Sequence, residues 1–406
     1  MKALSALAPQ VRQYLLVTGN YWAFTLTDGA LRMLVVLHFH ALGYSPLQIA
    51  ALFLFYEIFG VITNLVGGYL GARLGLNRTM NIGLGLQVAA LLMLTVPLAW
   101  LTIPWVMGAQ ALSGIAKDLN KMSAKSSIKL LVPDGQQGKL YKWVAILTGS
   151  KNALKGVGFF LGGALLALIG FKGALLAMAA VLALIWASSL MLLKKDLGKA
   201  KAKPKFRDLL SKSRAINILS AARMFLFGAR DVWFVVALPV YLSHVFGWDF
   251  WKVGGFLAAW VMGYGIVQSF APHITGKKSG HVPDGRAAFG WALALAGLPA
   301  LIALGLDTGW SPQTVLLGGL MVFGVLFAVN SSLHSYLIVS YAKEDGVSLD
   351  VGFYYMSNAL GRLIGTVLSG WVYQMYGLET CLWISSAFVL LAALISMALP
   401  RHAEAI

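Results

Sequence analysis

A ladder of four lysines is the feature of this sequence most able to do chemistry. In the stretch SGIAKDLNKMSAKSSIK, Lys117, Lys121, Lys125 and Lys129 follow one another at intervals of four residues. A step of four residues rises about 6 Å along an α-helix and turns by about 40°, so the first three lysines share one helix face. Ammonium groups arranged in a stripe bind phosphate-like oxyanions through charge and hydrogen bonds. The spacing therefore predicts an anion-binding stripe.

Other charged residues lie inside apolar stretches of the chain. The further cations are Arg32, Lys151, Lys155, Arg223, Arg230 and Arg362, and the acids are Asp28, Glu57, Asp118 and Asp231. Asp28 with Arg32, and Arg230 with Asp231, are close enough in sequence to form structural ion pairs. Cations remain in excess even if both pairs form, and buried cations repel one another unless an anion supplies the missing charge. We therefore predict a site for a multiply charged anion.

Neutral and acidic side chains add two further roles to this site. Tyr21, Asn120 and Asn152 are candidate hydrogen-bond donors to the anion, although each can instead bond a neighbouring helix. Asp28, Glu57 and Asp231 are the acids able to relay protons, and each can equally serve as a counter-ion.

The elements that must position these residues are membrane-spanning helices. Hydrophobic residues make up 59% of the sequence, charged residues make up 12%, and the mean hydropathy is +0.75, which excludes a soluble globular protein. A span needs about 20 apolar residues. We predict an all-α membrane protein whose twelve spans are 13–38, 46–71, 79–99, 104–131, 139–169, 171–193, 215–243, 250–273, 287–306, 313–340, 350–376 and 379–399.

Basic residues in the connections predict orientation and domain organisation. Because Lys and Arg are retained on the cytoplasmic side, their distribution places both termini in the cytoplasm. It also makes Lys129 an interfacial residue that extends to the cytoplasmic surface. The most basic connection divides the chain into six-helix bundles at 1–193 and 215–406, joined by a cytoplasmic linker at 194–214. We expect the linker to contact anionic membrane lipid rather than nucleic acid.

The sequence offers little for metal, cofactor or enzyme chemistry. It contains one cysteine, Cys381, which excludes a multi-thiolate site, and His38 and His40 do not share a helix face. No GxxxxGK stretch is present to bind ATP, so we predict a secondary carrier without a cofactor. Only His334 lies far inside a span, which argues against an enzyme with a histidine-carboxylate centre.

The two predicted bundles share a short internal similarity. SKNALKGVGFFLGG at 150–163 resembles SNALGRLIGTVLSG at 357–370, since both contain Asn-Ala-Leu, then a cation, then spaced small residues. Such small residues usually bring helices into close contact. We predict that role for Gly158 and Gly162, and the similarity favours two related bundles.

The connection after the second span resembles a known transporter signature. GYLGARLGLNR at 68–78 resembles the cytoplasmic signature of the major facilitator superfamily, with matches at Gly68, Arg73, Gly75 and Arg78. Ala72 stands where that signature has aspartate. The resemblance implies two pseudo-symmetric six-helix bundles that alternate access to a central site.

Three longer blocks resemble the organoarsenical efflux permeases of bacterial arsenic-resistance operons. They are NYWAFTLTDGALRMLVVLHFHALGYSP, GIAKDLNKMSAKSSIKLLVP and KWVAILTGSKNALKGVGFFLGG. The resemblance implies export of 1-arseno-3-phosphoglycerate across a bacterial inner membrane. It also implies a functional link to glyceraldehyde-3-phosphate dehydrogenase, which makes this compound when it uses arsenate. We expect a monomeric carrier driven by proton antiport.

Two other functions remain open at this stage. An organophosphate:phosphate antiporter would use arginines in the first and seventh spans, a role that Arg32 and Arg230 fit. A transporter-like sensor would bind the anion without moving it.

Overall fold

The chain is helical throughout its regular secondary structure. The computed structural model describes residues 8–44, 48–49, 52–133, 135–193, 197–201, 205, 209–210, 212–275 and 282–401, and no strand occurs among them. The helices are α1 (Pro9–Ala41), α2 (Leu54–Leu74), α3 (Leu76–Met93), α4 (Ile103–Leu131), α5 (Gln137–Leu192), α6 (Arg214–Phe234), α7 (Ala237–His244), α8 (Phe250–Ile274), α9 (Gly285–Leu306), α10 (Pro312–Tyr341) and α11 (Val347–Ser396).

Two of these helices each contain two membrane spans, because a glycine interrupts each of them. Gly170 in α5 has φ 71° and ψ 176°, and Gly377 in α11 has φ 80° and ψ −177°. Glycine adopts such positive φ values without the clash that a Cβ atom would cause. With α6 and α7 counted as one interrupted span, the described residues form twelve helical spans. The predicted all-α architecture and both predicted breaks are confirmed.

Two predicted spans differ from the structure. The third was predicted to reach residue 99, but α3 ends at Met93, because Pro97 disfavours helical backbone in the residue before it. The seventh span is interrupted between α6 and α7. Ser369 Oγ there accepts hydrogen bonds from the backbone N–H groups of Val236 and Ala237, at 3.3 and 3.1 Å.

Hydropathy separates α1 and α4 from most of the other long helices. Among the described residues, seven helical segments are long and apolar enough to cross a membrane: α2, α5, α6 with α7, α8, α9, α10 and α11. The long helices α1 and α4 do not meet this criterion, and they contain Asp28 and Arg32 and the lysine ladder. The lysine ladder, Asp28 and Arg32 therefore lie on two long helices that are less apolar than these seven segments.

The chain divides into two compact units. Unit 1 comprises Met1–Gln136, Ser150–Ser211 and Ala342–Met356, and unit 2 comprises Gln137–Gly149, Lys212–Tyr341 and Ser357–Ile406. In unit 1, α1, α2 and α3 all pack against α4, and in unit 2, α6, α8 and α9 pack against α10. The sequence-based division into 1–193, 194–214 and 215–406 stays a prediction.

Glycines bring α5 directly onto α1 within unit 1. A Cβ atom added to Gly158 would lie 2.8 Å from the Leu26 carbonyl oxygen and 3.1 Å from the Gly29 Cα. A Cβ at Gly162 would overlap the backbone of Ala30. The predicted role of Gly158 and Gly162 in close helix contact is confirmed.

Within the basic segment 194–214, residues 194–196, 202–204, 206–208 and 211 lie outside the described residues. The part at 197–201 contacts the α2–α3 turn of unit 1, where the Leu76 N–H donates to the Leu197 carbonyl at 2.7 Å. The Ala200 N–H donates to the carbonyl of Ala72 at 2.8 Å. Ala72, the position of the missing signature aspartate, therefore contacts the peptide that follows α5 through its backbone.

Candidate functional site

Asp118 organises the lysine ladder on α4. Its side chain is 1% exposed, and Lys121 Nζ lies 2.6 Å from Oδ1 while Lys117 Nζ lies 3.9 Å from Oδ2. Lys121 is one helical turn after Asp118, so the contact is local to α4. The ladder therefore contains its own buried counter-ion, which holds the ammonium groups of two lysines in place.

Asp28 on α1 contacts α2 and α5 rather than its own helix. Its carboxylate accepts a hydrogen bond from the Tyr56 hydroxyl at 2.8 Å, and Lys155 Nζ lies 3.8 Å away. Arg32 instead lies 3.4 Å from Glu57 Oε1 on α2. The predicted pairing of Asp28 with Arg32 is therefore wrong, because partners on packed neighbouring helices replace the partner one turn along α1.

Two tyrosines that the sequence analysis did not single out cover these cations. Lys117 Nζ lies 3.8 Å from the centre of the Tyr56 ring, and the Arg32 guanidinium carbon lies 5.2 Å from it. Tyr355, at the start of α11 and within unit 1, has Lys121 Nζ 4.7 Å from its ring centre. A cation over an aromatic face is stabilised by about 0.5–2 kcal/mol, and more when water is excluded.

Lys125 is the most enclosed of the ladder lysines. It is 3% exposed, its Nζ donates a hydrogen bond to the Tyr355 hydroxyl, and it lies 4.8 Å from the centre of the same ring. The contact joins residues 230 positions apart in sequence. Tyr355 therefore touches two successive lysines of the ladder.

The remaining predicted residues of unit 1 make contacts within their own helices. Lys151 Nζ donates to Asn152 Oδ1 at 3.2 Å on α5. Asn120 donates to the Ala116 carbonyl of its own helix at 2.9 Å, so its amide nitrogen bonds within α4. The Tyr21 side chain on α1 is 1% exposed.

We define the lysine cluster as six cations and three carboxylates of unit 1: Arg32, Lys117, Lys121, Lys125, Lys151, Lys155, Asp28, Glu57 and Asp118. Cations are in twofold excess in this set. The side chains of Lys121, Lys117, Lys155 and Arg32 retain 13%, 14%, 18% and 29% exposure. Partly accessible cations in excess, held on rigid helices, form an arrangement that can bind an oxyanion.

A second charged group, the arginine cluster, consists of Arg230, Asp231 and Arg362 in unit 2. Asp231 is fully buried, and it accepts from Arg230 Nε at 2.6 Å and from Arg362 Nε at 2.9 Å. The predicted pairing of Arg230 with Asp231 is confirmed, and Arg362 joins it. Phe227, Phe234 and Phe327 lie 5.1–5.6 Å from the Arg230 guanidinium carbon. One carboxylate therefore holds two arginines in an aromatic setting.

Arg223, two helical turns before Arg230 on α6, forms a buried polar contact. It is 3% exposed, donates to Asn358 Oδ1 at 2.8 Å and to Ser331 Oγ at 3.3 Å, and stacks 3.7 Å above the Phe227 ring. These hydrogen bonds join α6 to α10 and α11 within unit 2. They give Arg223 a structural role.

The described residues contain no group of three or more His, Cys, Asp or Glu side chains placed to hold a metal ion. His38 stacks on Phe171 with ring centres 3.9 Å apart.

Comparison with known proteins gives a family and a fold. A family model described as the Major Facilitator Superfamily matches residues 15–283, more than half of the chain. No curated protein matches the sequence. Among solved structures, the human organic anion transporter MFSD10 (TETRAN) superposes with a TM-score of 0.76 at 17% identity, covering 96% of this chain and 100% of that one.

Two further structures share the fold. A bacterial homologue of the iron transporter ferroportin, in an outward-facing state, gives a TM-score of 0.74 at 16% identity over 95% of this chain and 98% of that one. A variant of the E. coli fucose:proton symporter FucP gives 0.73 at 13% identity over 96% and 99%. These three proteins are described as transporters of different substrates or as homologues of them, so the shared fold leaves the substrate of this chain open.

Proposed function

Since the chain belongs to the major facilitator superfamily, we propose that this multi-pass membrane transporter exports a multiply charged organic anion, 1-arseno-3-phosphoglycerate, and so confers arsenate resistance. Export proceeds by alternating access, and proton antiport drives it. The transporter acts in the bacterial inner membrane, with both termini in the cytoplasm. Its activity depends on glyceraldehyde-3-phosphate dehydrogenase, which supplies the substrate from arsenate.

The observation that carries this proposal is the cation excess of the lysine cluster. Charged side chains inside a membrane cost about 2.5–3.5 kcal/mol each on insertion scales, so an excess of one sign needs a purpose. Asp28, Glu57 and Asp118 each lie beside a cation of the cluster, yet the cluster holds twice as many cations as carboxylates. A substrate with both an arsenate and a phosphate group supplies the missing negative charge at two positions.

The membrane potential favours the outward direction for such a substrate. Moving one elementary charge through 100 mV changes its free energy by about 2.3 kcal/mol. A bacterial cytoplasm is negative, so a polyanion moves outward with this field and inward against it. The charge that suits the lysine cluster therefore also suits export.

The substrate assignment rests on the three sequence blocks that resemble organoarsenical efflux permeases. Two of these blocks contain Asp28, Arg32 and the ladder, and the third contains Lys151 and Lys155. A transporter of trivalent arsenic would be expected to offer thiolate ligands, because arsenic(III) is soft. The sequence has one cysteine, Cys381, and it is buried, so an oxyanion ester suits this protein better as a substrate.

We propose as substrate contacts the cations and polar groups that the sequence indicated, each considered within its own unit. These are Lys117, Lys121, Lys125, Lys151, Lys155, Arg32, Asn120, Asn152 and Tyr21 in unit 1, with Arg230 and Arg362 in unit 2. Asp28, Glu57 and Asp231 are the candidates for proton coupling, since each is a carboxylate beside a cation, and each can equally serve as a counter-ion.

The direct test is arsenic export from cells that lack their own arsenic exporters. Expression of the chain together with glyceraldehyde-3-phosphate dehydrogenase should raise arsenate tolerance and lower cell arsenic, whereas arsenite tolerance stays unchanged. The Lys121→Gln variant, expressed at the same level, is the matched control and should not protect. Equal protection against arsenite would contradict the proposal.

An organophosphate:phosphate antiporter is the second candidate, since the lysine cluster suits any phosphate ester. Such an antiporter would use Arg32 and Arg230. In the structure, Arg32 forms an ion pair with Glu57, and Arg230 forms one with Asp231. Counterflow separates the two functions: vesicles loaded with inorganic phosphate should accelerate phosphate-ester uptake for an antiporter and not for proton-driven export. A sensor would bind the ester without any flux.

A further inference from the structure

The start of α11 is attached to α2 through direct backbone packing inside unit 1. A Cβ atom on Gly68 would lie 2.5 Å from the Ser348 carbonyl oxygen, and one on Gly352 would lie 2.6 Å from the Asn64 carbonyl oxygen. Ser348 Oγ donates to the Gly68 carbonyl at 2.8 Å. No side chain separates the two helices here, so α11 is held at a fixed distance from α2.

This attachment presents Tyr355 to the lysine ladder. Ser348, Gly352 and Tyr355 are spaced by four and three residues, so they lie on one face of α11. Tyr355 is the last of these three residues along α11. It is 3% exposed and contacts both Lys121 and Lys125. The lysines proposed to meet the substrate are therefore already covered by an aromatic side chain.

A phenol is a weaker partner for these ammonium groups than an oxyanion would be. The ring face and the hydroxyl offer partial negative charge, and they reduce the cost of burying Lys121 and Lys125 without neutralising either lysine. A phosphate or arsenate group brings full charge and shorter, roughly twofold stronger hydrogen bonds to the same atoms. The two partners compete, because the Lys125 Nζ that would bind the anion already donates to Tyr355.

We propose that Tyr355 is a ligand-displaced cap on Lys121 and Lys125. An oxyanion that binds these lysines displaces the phenol and thereby releases residues 347–355 from α2 and α4. The hydroxyl of Tyr355 lowers anion affinity by competing for Lys125, and its displacement couples anion binding to movement of α11. The identity of the natural anion rests on the proposed function, whereas the competition does not.

The first test measures binding of 3-phosphoglycerate, which contains no arsenic, to purified protein. Tyr355→Phe keeps the ring and removes the competing hydroxyl, so it should tighten binding about fivefold, the factor that corresponds to one hydrogen bond. Tyr354→Phe removes a hydroxyl from the adjacent buried tyrosine and is the matched control, with no change expected. In the Lys125→Gln variant, the additional change Tyr355→Phe should not alter affinity, because the Lys125 Nζ for which the hydroxyl and the anion compete is absent.

The second test measures release of α11 with a cysteine at position 348, in a chain where Cys381 is replaced by alanine. Ser348 is fully buried, so Ser348→Cys should react slowly with maleimide. Saturating 3-phosphoglycerate should raise the labelling rate roughly fivefold or more, in step with the expected change in affinity, and Tyr355→Phe should raise it without ligand. The proposed role of Tyr355 as a cap is wrong if Tyr355→Phe leaves the affinity for 3-phosphoglycerate unchanged. It is also wrong if millimolar 3-phosphoglycerate does not change the labelling rate.

The two proposals fail differently. If cells gain no arsenate tolerance but Tyr355→Phe tightens 3-phosphoglycerate binding, the cap is supported and the substrate assignment falls. If tolerance is gained while Tyr355→Phe leaves affinity and labelling unchanged, the cap falls and export is supported.

Discussion

The two units contain the same local arrangement with different pairing. In unit 1, Gly158 of α5 packs against Gly29 of α1, and Lys155, three residues earlier, lies 3.8 Å from Asp28. In unit 2, a Cβ atom on Gly365 of α11 would lie 2.7 Å from the carbonyl oxygen of Gly228 on α6. Arg362, three residues before Gly365, contacts Asp231 at 2.9 Å. The sequence similarity between 150–163 and 357–370 thus corresponds to a shared glycine contact and a shared cation-aspartate pair.

The difference between the arrangements lies in what else each aspartate contacts. Asp28 accepts from Tyr56 and stands beside one lysine, in a cluster where cations outnumber carboxylates by two to one. Asp231 is fully buried between two arginines at 2.6 and 2.9 Å. The loose pair suits a site that accepts and releases an anion, whereas the shared carboxylate of the triad holds both arginines in one geometry. The following predictions test this contrast.

The largest expected effect is on stability, from Asp231→Asn. The change leaves Arg230 and Arg362 without their shared carboxylate, which should cost about 3–5 kcal/mol, because buried charges are then uncompensated. Thermal unfolding in detergent should show a much lower melting temperature than for Asp28→Asn. Adding Arg362→Gln should restore part of the loss. Equal melting temperatures for the two aspartate variants would remove the contrast between the units.

The next effect is on transport, from Lys121→Gln. Losing one charge-assisted hydrogen bond of about 1.5–3 kcal/mol should reduce substrate transport at limiting concentration roughly 10- to 100-fold, while the protein stays folded. Lys117→Gln should act similarly. Lys129→Gln is the control in the last turn of the same helix and should change transport less than about twofold, since we expect this lysine to reach the membrane surface. Full transport by Lys121→Gln at limiting substrate would exclude this lysine from the site.

Much of this contrast was accessible from sequence, and the missing part is tertiary. Local spacing predicted the lysine stripe, the Arg230–Asp231 pair and the breaks at Gly170 and Gly377, because each depends on residues near one another in the chain. Contacts between helices could not be predicted in this way. The spacing along α1 indicated Arg32 as the partner of Asp28, but the observed partners are Tyr56 and Lys155 on other helices.

Tyr355 shows the same limit more strongly. A tyrosine in an apolar helix gives no sequence signal of its own, and its lysine partner Lys125 lies 230 residues away. The position follows from the Gly68–Gly352 packing, which fixes where α11 approaches α4. Glycines that resemble a family signature were visible in the sequence, but the side chain that they bring to the site was not.

A moderate effect is expected from the matched glycines. Gly158→Ala and Gly365→Ala should each destabilise the protein by about 1–3 kcal/mol, because the added methyl would overlap a backbone carbonyl in each unit. Gly163→Ala is the control, since its Cβ would lie 3.6 Å from Leu37, an ordinary contact. Similar losses of melting temperature in the two variants would support the structural parallel. A large loss in one alone would show that the units pack by different rules.

The smallest expected effect, and the most informative about mechanism, comes from Asp28→Asn. The change keeps an acceptor for the Tyr56 hydroxyl but removes the negative charge beside Lys155, so Lys155 becomes more available to a substrate anion.

If Asp28 is a counter-ion, affinity should rise about fivefold and release should slow, because the substrate then replaces the lost charge. If Asp28 carries the coupling proton, affinity should stay the same and an imposed pH gradient should no longer drive flux. Exchange between loaded vesicles should still proceed in that case. We expect the counter-ion result, because the Asp28 carboxylate already accepts from the Tyr56 hydroxyl and lies 3.8 Å from Lys155 Nζ. Substrate affinity and pH-driven flux, measured on the same purified variant in liposomes, decide between them: unchanged affinity with a lost pH response would assign the proton to Asp28.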